Sequence, residues 1–93
     1  MLMRGTRRWS VLYSDTGRLA LASATPEERS AVIDFEASLA AHPHVGEEYA
    51  DRAGGIRVAR CDVAGRPAWT SVLYRVDEAE TEEVSIVAII SGP

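Results

Sequence analysis

Residues 25–28 read Thr-Pro-Glu-Glu and carry three separate signals for the start of a helix. Thr25 can accept a hydrogen bond from the first turn, Pro26 suits the first helical position, and Glu28 can bond back to the backbone of Thr25. Apolar residues then recur at three- and four-residue spacing, at Ala31, Val32, Phe35, Leu39 and Ala40. The sequence therefore predicts one amphipathic helix over residues 26–41 that packs on a sheet through Val32, Phe35 and Leu39.

The chain before this helix is predicted to form a strand and a shorter helix. Trp9, Val11 and Tyr13 lie on one face at period two, which is typical of a strand over residues 9–14. Asp15 is the candidate N-cap of a helix over about residues 16–24, in which Gly17 lowers the helix propensity. Residues 1–8 contain three arginines and no apolar period, so we expect a mobile basic lead-in.

The second half of the chain is predicted to be all β, with strands over residues 56–63, 68–76 and 84–90. These segments are rich in β-branched residues, namely Val72, Val76, Val84, Ile86, Val87, Ile89 and Ile90. The last strand is apolar on both faces, which favours an interior position in the sheet. The fold class is therefore α+β in the order β-α-α-β-β-β. We expect two N-terminal helices packed on a mainly antiparallel four-stranded sheet, in a single domain over residues 1–93.

Composition limits the classes of function. The net charge of −4 argues against a general attraction to nucleic acid, although a local arginine patch is compatible with it. The longest apolar stretch is too short to cross a bilayer, and the single cysteine cannot form an internal disulfide. We therefore expect a cytoplasmic protein with no membrane partner. All ten basic residues are arginine, which favours a bacterial source with GC-rich DNA.

Motifs for metal or cofactor binding are not apparent in the sequence. His42 and His44 flank Pro43, but no Cys or further His lies nearby to complete a metal site. A glycine loop for phosphates and a Ser-His-Asp or Cys-His arrangement cannot be inferred either. We expect no metal and no cofactor.

Four stretches, in this order along the chain, resemble the RelE/ParE superfamily of type II toxins. They are residues 9–14 (WSVLYS), 26–29 (PEER), 54–57 (GGIR) and 72–76 (VLYRV). The last is the most characteristic, because members commonly carry a hydrophobic-hydrophobic-Tyr-Arg-Val segment on the third strand. The resemblance implies a small toxin that is neutralised by a cognate antitoxin wrapped around its sheet and helices.

The resemblance also implies one of two toxic activities. RelE-like members cleave messenger RNA in the ribosome, whereas ParE-like members poison DNA gyrase. RNA cleavage needs cations for the phosphorane charge and an acid/base pair. The candidate nucleic-acid-binding and catalytic residues are Arg57, Arg60 and Arg75, expected to form one cationic patch, with Glu47 as the candidate general base. Surface ion pairs with Asp51, Asp62 or Asp77 are the structural alternative for these arginines.

Two positions depart from the RelE-like pattern. Ser71 stands three residues before Tyr74, where an Arg is usual, and residues 91–93 read Ser-Gly-Pro where a Tyr, His or Arg usually follows the last strand. These departures predict that ribosome-dependent mRNA cleavage is absent or much weaker than in typical members, so enzymatic activity stays open. Gyrase inhibition needs no such residues. The alternative function is a non-catalytic protein-interaction domain of the same fold, and homodimer formation is also open.

Overall fold

The computed structural model describes residues 9–49, 55–63, 69–77 and 82–91. Its elements are β1 Ser10–Tyr13, α1 Asp15–Ser23, α2 Pro26–Ala41, β2 Glu47–Glu48, β3 Ile56–Asp62, β4 Trp69–Asp77 and β5 Glu83–Ser91. The predicted lead-in over residues 1–8 and the predicted turn at residues 64–67 lie outside the described residues. The four predicted strands and the predicted long helix are all present, with bounds that agree to within one residue.

The strands form one mixed sheet in the order β1-β5-β4-β3-β2. β1 pairs in parallel with β5, and the other neighbours are antiparallel. β5 has a neighbour on each side, which confirms its predicted interior position. The sheet has five strands rather than the predicted four, because the two-residue β2 forms at the edge in a stretch for which no strand was predicted. Two exposed glutamates form β2, and so short a polar strand gives no periodic signal.

The start of α1 differs from the prediction. Its N-cap is Ser14, whose Oγ accepts a hydrogen bond from the Gly17 backbone N–H at 3.1 Å. Asp15, the predicted cap, is instead the first helical residue and pairs with Arg18 at 2.7 Å. Gly17 is needed for close packing, since a Cβ there would lie 2.0 Å from the carbonyl oxygen of Ile86.

The start of α2 confirms the predicted capping box. Thr25 Oγ1 accepts from the Glu28 N–H at 3.1 Å, and Glu28 Oε1 accepts from the Thr25 N–H at 3.0 Å. Val32 and Leu39 are fully buried, whereas Phe35 is half-buried at the side of the core. Among the described residues, no helix is long and apolar enough to cross a membrane.

The edge strand β1 is fastened to α2 by a side-chain hydrogen bond. The Tyr13 hydroxyl donates to Glu36 Oε2 at 2.5 Å. Burial, followed by this bond and the Glu36 charge, raises the pKa of Tyr13 above its ordinary value, so the phenol keeps its proton. β1 is therefore held both by its ladder with β5 and by this bond to the helix.

The sheet has one face covered by α2 and one open face. The covered face supplies the core side chains Cys61, Val72, Tyr74, Val84 and Ile86. Burial and the nearby Asp62 charge raise the pKa of the Cys61 thiol to about 11, so this residue is a protonated, buried core residue. Because successive side chains point to opposite faces of a strand, the open face carries Arg60 of β3 and Ser71, Leu73 and Arg75 of β4.

Candidate functional site

Arg57 and Tyr74 are cross-strand partners on the covered face, and both reach the loop that precedes β2. The buried Tyr74 hydroxyl accepts a hydrogen bond from the Gly46 N–H at 2.9 Å. Arg57 donates to the Gly46 carbonyl from Nε at 3.2 Å and from Nη2 at 2.7 Å, and Nη2 also donates to the His44 carbonyl at 3.3 Å. These bonds fasten the loop to the sheet and determine where Glu47 begins β2.

Gly46 lets the loop approach the sheet closely. A Cβ at this position would lie 2.6 Å from the carbonyl oxygen of Val58 and 2.7 Å from the Tyr74 hydroxyl. Any side chain here would therefore push the loop away from β3. The tyrosine of the characteristic 72–76 segment thus has a structural role, because it bonds to the backbone at a site where only glycine fits.

Arg60 lies on the open face in a different environment. Its guanidinium carbon is 4.5 Å from the centre of the Trp69 ring, which is a cation–π distance. Across the ladder, Arg60 is the direct partner of Ser71. Within the described ranges, the Arg60 guanidinium has no hydrogen-bond or ion-pair partner. Its N–H donors are therefore available to a ligand.

Arg75 also lies on the open face, where it is exposed and pairs in register with Ile56. It lies four positions after Ser71, roughly 13 Å along β4. Arg57, in contrast, is on the covered face, so the prediction of a single patch made of all three arginines is wrong. The reason is the alternation of side chains, which sends residues 57 and 60 of one strand to opposite faces.

The alternative role for the arginines, surface ion pairs with aspartates, is not found among the described residues. None of the three forms an ion pair with Asp62 or Asp77 in the described part of the chain, and Asp51 lies outside it. Arg57 bonds to backbone carbonyls, and Arg60 stacks on an aromatic ring. Within the described ranges, no carboxylate forms an ion pair with Arg60 or Arg75.

A cleft with a volume of about 380 Å³ lies at the β2 end of the sheet. It is lined by Phe35, Val45, Gly46, Glu47, Val58, Ala59, Arg60 and Ser71. Two of the four predicted site residues, Glu47 and Arg60, thus line one cleft together with Ser71 of β4. Arg57 holds the rim of this cleft through Gly46, and Arg75 is not part of its lining. Arg60 and the Ser71 hydroxyl can donate hydrogen bonds to an anion, whereas the Glu47 carboxylate repels one. No phenol or imidazole is among the lining residues to act as an acid.

Comparison with known proteins identifies the fold. No protein-family model matches the sequence, and no curated protein matches it. A chain of the toxin-antitoxin complex RelBE2 from Mycobacterium tuberculosis is similar in structure with a TM-score of 0.74 and 27% identity, covering 90% of this chain and 98% of that one. The chain has the RelE/ParE-like toxin fold. A mutant of the E. coli toxin RelE in the free state matches with a TM-score of 0.70 over 89% of this chain and 82% of that one, and at 8% identity this likeness concerns the fold alone.

Two residues of the site in this RelE/ParE-like fold escaped the sequence prediction. Trp69 was assigned only to a strand, and Ser71 was interpreted only as a missing cation. A usable signal was present, since a hairpin centred on the predicted turn at residues 64–67 pairs Arg60 with Ser71. Side-chain alternation then places Trp69 on the same face as both.

Proposed function

We propose that this chain is the toxin of a bacterial type II toxin–antitoxin pair and acts in the cytoplasm. The observation that carries the proposal is the likeness to a chain of a toxin–antitoxin complex over nearly the full length of both molecules. The second similar structure is itself a toxin, which supports the same conclusion at the level of the fold. The implied partner is a cognate antitoxin.

The surface of the domain supports a protein partner. Large hydrophobic side chains are exposed on both helices and on the open face of the sheet, namely Leu12, Leu19, Ile33 and Ile90. Leu12 and Ile90 share the open face with Arg60, Ser71 and Arg75. Exposed apolar side chains of this size are candidate contacts for a protein partner. An antitoxin segment laid over this face would cover the cleft as well.

Ribosome-dependent mRNA cleavage by this toxin is proposed to be weak or absent. Phosphorane stabilisation and proton transfer each contribute on the order of 10² to 10³-fold. The cleft has one cation, Arg60, and one carboxylate, Glu47, but its lining includes no phenol or imidazole. Arg57 is already bonded to the His44 and Gly46 carbonyls, which supports counting it as part of the scaffold. Arg66, another candidate cation, lies outside the described residues.

Induction of the chain in a bacterial host, with and without the neighbouring frame that encodes the antitoxin, tests both parts of this proposal. We expect growth arrest that co-expression relieves. Primer-extension mapping of transcripts is expected to reveal no discrete cleavage within translated codons. Discrete cleavage that disappears in the Arg60→Ala or Arg75→Ala variant would contradict weak nuclease activity. Normal growth at a protein level confirmed by immunoblot would contradict the toxin assignment itself.

Gyrase inhibition is the second candidate mode, and the acidic charge of the domain favours it. A net charge of −4 does not assist approach to an anionic ribosome, whereas a protein target requires only a complementary surface. A supercoiling assay with purified gyrase and the purified chain distinguishes the modes. Loss of supercoiling at stoichiometric concentrations supports gyrase as the target.

The alternative function is a non-catalytic protein-interaction domain of the same fold. The exposed Leu19 on α1, at 69% of its full exposure, is the observation that favours it, because nothing in the described chain covers this side chain. Partner binding without growth arrest would support this alternative. Sedimentation of the purified chain separately tests the homodimer, for which we expect a monomer mass if the apolar surface serves a different protein.

A further inference from the structure

β3 is a free edge of the sheet along its second half. β2 covers only residues 56–58 of this strand. The chain before β2 turns away from β3, because the Val45 N–H donates to the carbonyl of His42 at 3.1 Å. Among the described residues, the stretch 59–62 therefore has β4 on one side and no strand on the other.

The backbone groups of Arg60 and Asp62 point out of the sheet at this free edge. The Tyr49 N–H donates to the Ile56 carbonyl at 2.9 Å, so the even-numbered residues of β3 direct their N–H and C=O groups away from β4. In the described structure, the N–H and C=O groups of Arg60 and Asp62 form no backbone hydrogen bond on that side. A row of unpaired backbone groups on a strand edge is a template for an added strand.

α2 and this edge form a cleft whose walls are acidic. The cleft has a volume of about 300 Å³ and is lined by Asp62 at the edge and by residues of α2, namely Pro26, Glu27, Ser30, Ala31 and Asp34. The carboxylates of Glu27, Asp34 and Asp62 form no ion pair or hydrogen bond with another described residue. No basic side chain is among the lining residues. The potential in the cleft is therefore negative and favours a cationic group.

We propose that the free edge of β3 at residues 60–62 binds an extended segment of a partner protein by strand addition, with an Arg or Lys of that segment in the acidic cleft. The residues of the segment opposite Arg60 and Asp62 exchange backbone hydrogen bonds with them. The residue between these two lies opposite Cys61 and points to the face that α2 covers. The register of the added strand thus determines which of its side chains enters the cleft.

Charge selects this occupant. A second copy of the chain has the same net charge of −4, so it would bring like charges to the acidic cleft. On the open face, the Arg60 guanidinium lies over Trp69 beside the same edge and disfavours another basic side chain there. We therefore expect neutral, β-branched residues on the open face of the segment and one basic residue toward α2. This site goes beyond the proposed function, because strand addition at the edge does not depend on toxicity.

A synthetic peptide with the core Val-Arg-Val, blocked at both ends, is the probe, and fluorescence anisotropy measures its binding to the full chain. Replacing its Arg by citrulline, which has a similar shape and no charge, should weaken binding roughly threefold. Methylation of the backbone nitrogens of both Val residues should weaken binding roughly tenfold or more, because these N–H groups face β3. Added salt should reduce the difference between the Arg and citrulline peptides.

Protein variants separate the contribution of charge from that of the backbone edge. Asp34→Asn should weaken the Arg peptide roughly threefold and leave the citrulline peptide unchanged. Its matched control is Asp15→Asn, which removes an equal charge from α1 and should leave both affinities unchanged. Asp62→Pro removes an N–H that points away from β4, whereas Asp62→Asn keeps it. The proline variant should bind both peptides roughly tenfold more weakly than the asparagine variant, with folding checked by circular dichroism.

Amide hydrogen exchange examines the edge itself. In the free chain, the N–H groups of Arg60 and Asp62 should exchange faster than those of Ala59 and Cys61, which face β4, and the peptide should slow only the first pair. The inference is overturned if the Arg peptide does not bind at low salt or binds no better than the citrulline peptide. Slow exchange of the Arg60 and Asp62 amides in the free chain would also overturn it, because the edge would then already be covered.

Discussion

Arg57 and Arg60 lie three residues apart on β3 and serve opposite faces of the sheet. Arg57 donates its hydrogen bonds to the backbone carbonyls of His44 and Gly46, beside the buried Tyr74. Arg60 stacks on Trp69 and keeps its N–H groups available. On the covered face a cation holds a loop in place, whereas on the open face Arg60 forms no hydrogen bond or ion pair within the described structure. The role of an arginine on a strand of this sheet therefore depends first on which face of the sheet its side chain occupies.

The largest expected effect is a loss of stability when the packing between α2 and the covered face of the sheet is weakened. The Leu39→Ala variant removes a fully buried side chain between α2 and the sheet and should lower the free energy of unfolding by about 2–5 kcal/mol. The matched control on the same helix is Ile33→Ala, whose side chain is 47% exposed and should cost less than about 1 kcal/mol. Urea unfolding followed by circular dichroism measures both. Equal losses in the two variants would mean that α2 does not pack on the sheet through the side that carries Leu39.

The elements of the fold could be predicted from local patterns. The start of the long helix was predicted because Thr25, Pro26 and Glu28 satisfy its first turn through contacts that are all close in sequence. The strands were predicted because β-branched residues concentrate in them. Ser14 and Asp15 are both good caps, and which one acts depends on the backbone conformation at the end of β1. The extra strand β2 depends on long-range bonds from Arg57 and Tyr74, which no local pattern contains.

The candidate site was predicted only in part, for a reason that is also physical. Arg60 and Glu47 do line one cleft, but their meeting depends on the loop at Gly46 and on the β3–β4 register. The prediction of a single patch was wrong because side chains alternate along β3, so residues 57 and 60 point to opposite faces of the sheet. The cross-strand neighbour of a residue can be inferred only once the register of the hairpin is known. Ser71 was therefore interpreted only as a missing arginine and not as the cross-strand partner of Arg60.

The tie between the loop and the covered face gives an effect of intermediate size. Tyr74→Phe deletes the hydroxyl that accepts from the Gly46 N–H and leaves that donor buried without a partner. The expected loss is about 1–3 kcal/mol in the free energy of unfolding. Tyr49→Phe is the matched control, because this ring is 54% exposed and should be close to neutral. If the two phenylalanine variants were equally stable, the loop would not depend on Tyr74, and the structural role assigned to this tyrosine would be wrong.

The smallest effect separates the two arginines themselves. Arg57→Met and Arg60→Met each keep an unbranched apolar stem, so the difference between them reports the head group rather than the packing. Arg57→Met should cost about 1–2 kcal/mol, because the carbonyls of His44 and Gly46 lose a charged donor. Arg60→Met should cost about 0.5 kcal/mol or less, since a cation–π contact at an exposed site contributes little. Parallel urea titrations measure the pair. A larger loss at Arg60 than at Arg57 would mean that Arg60 is the arginine with the structural role, and it would contradict the distinction between the two faces of the sheet.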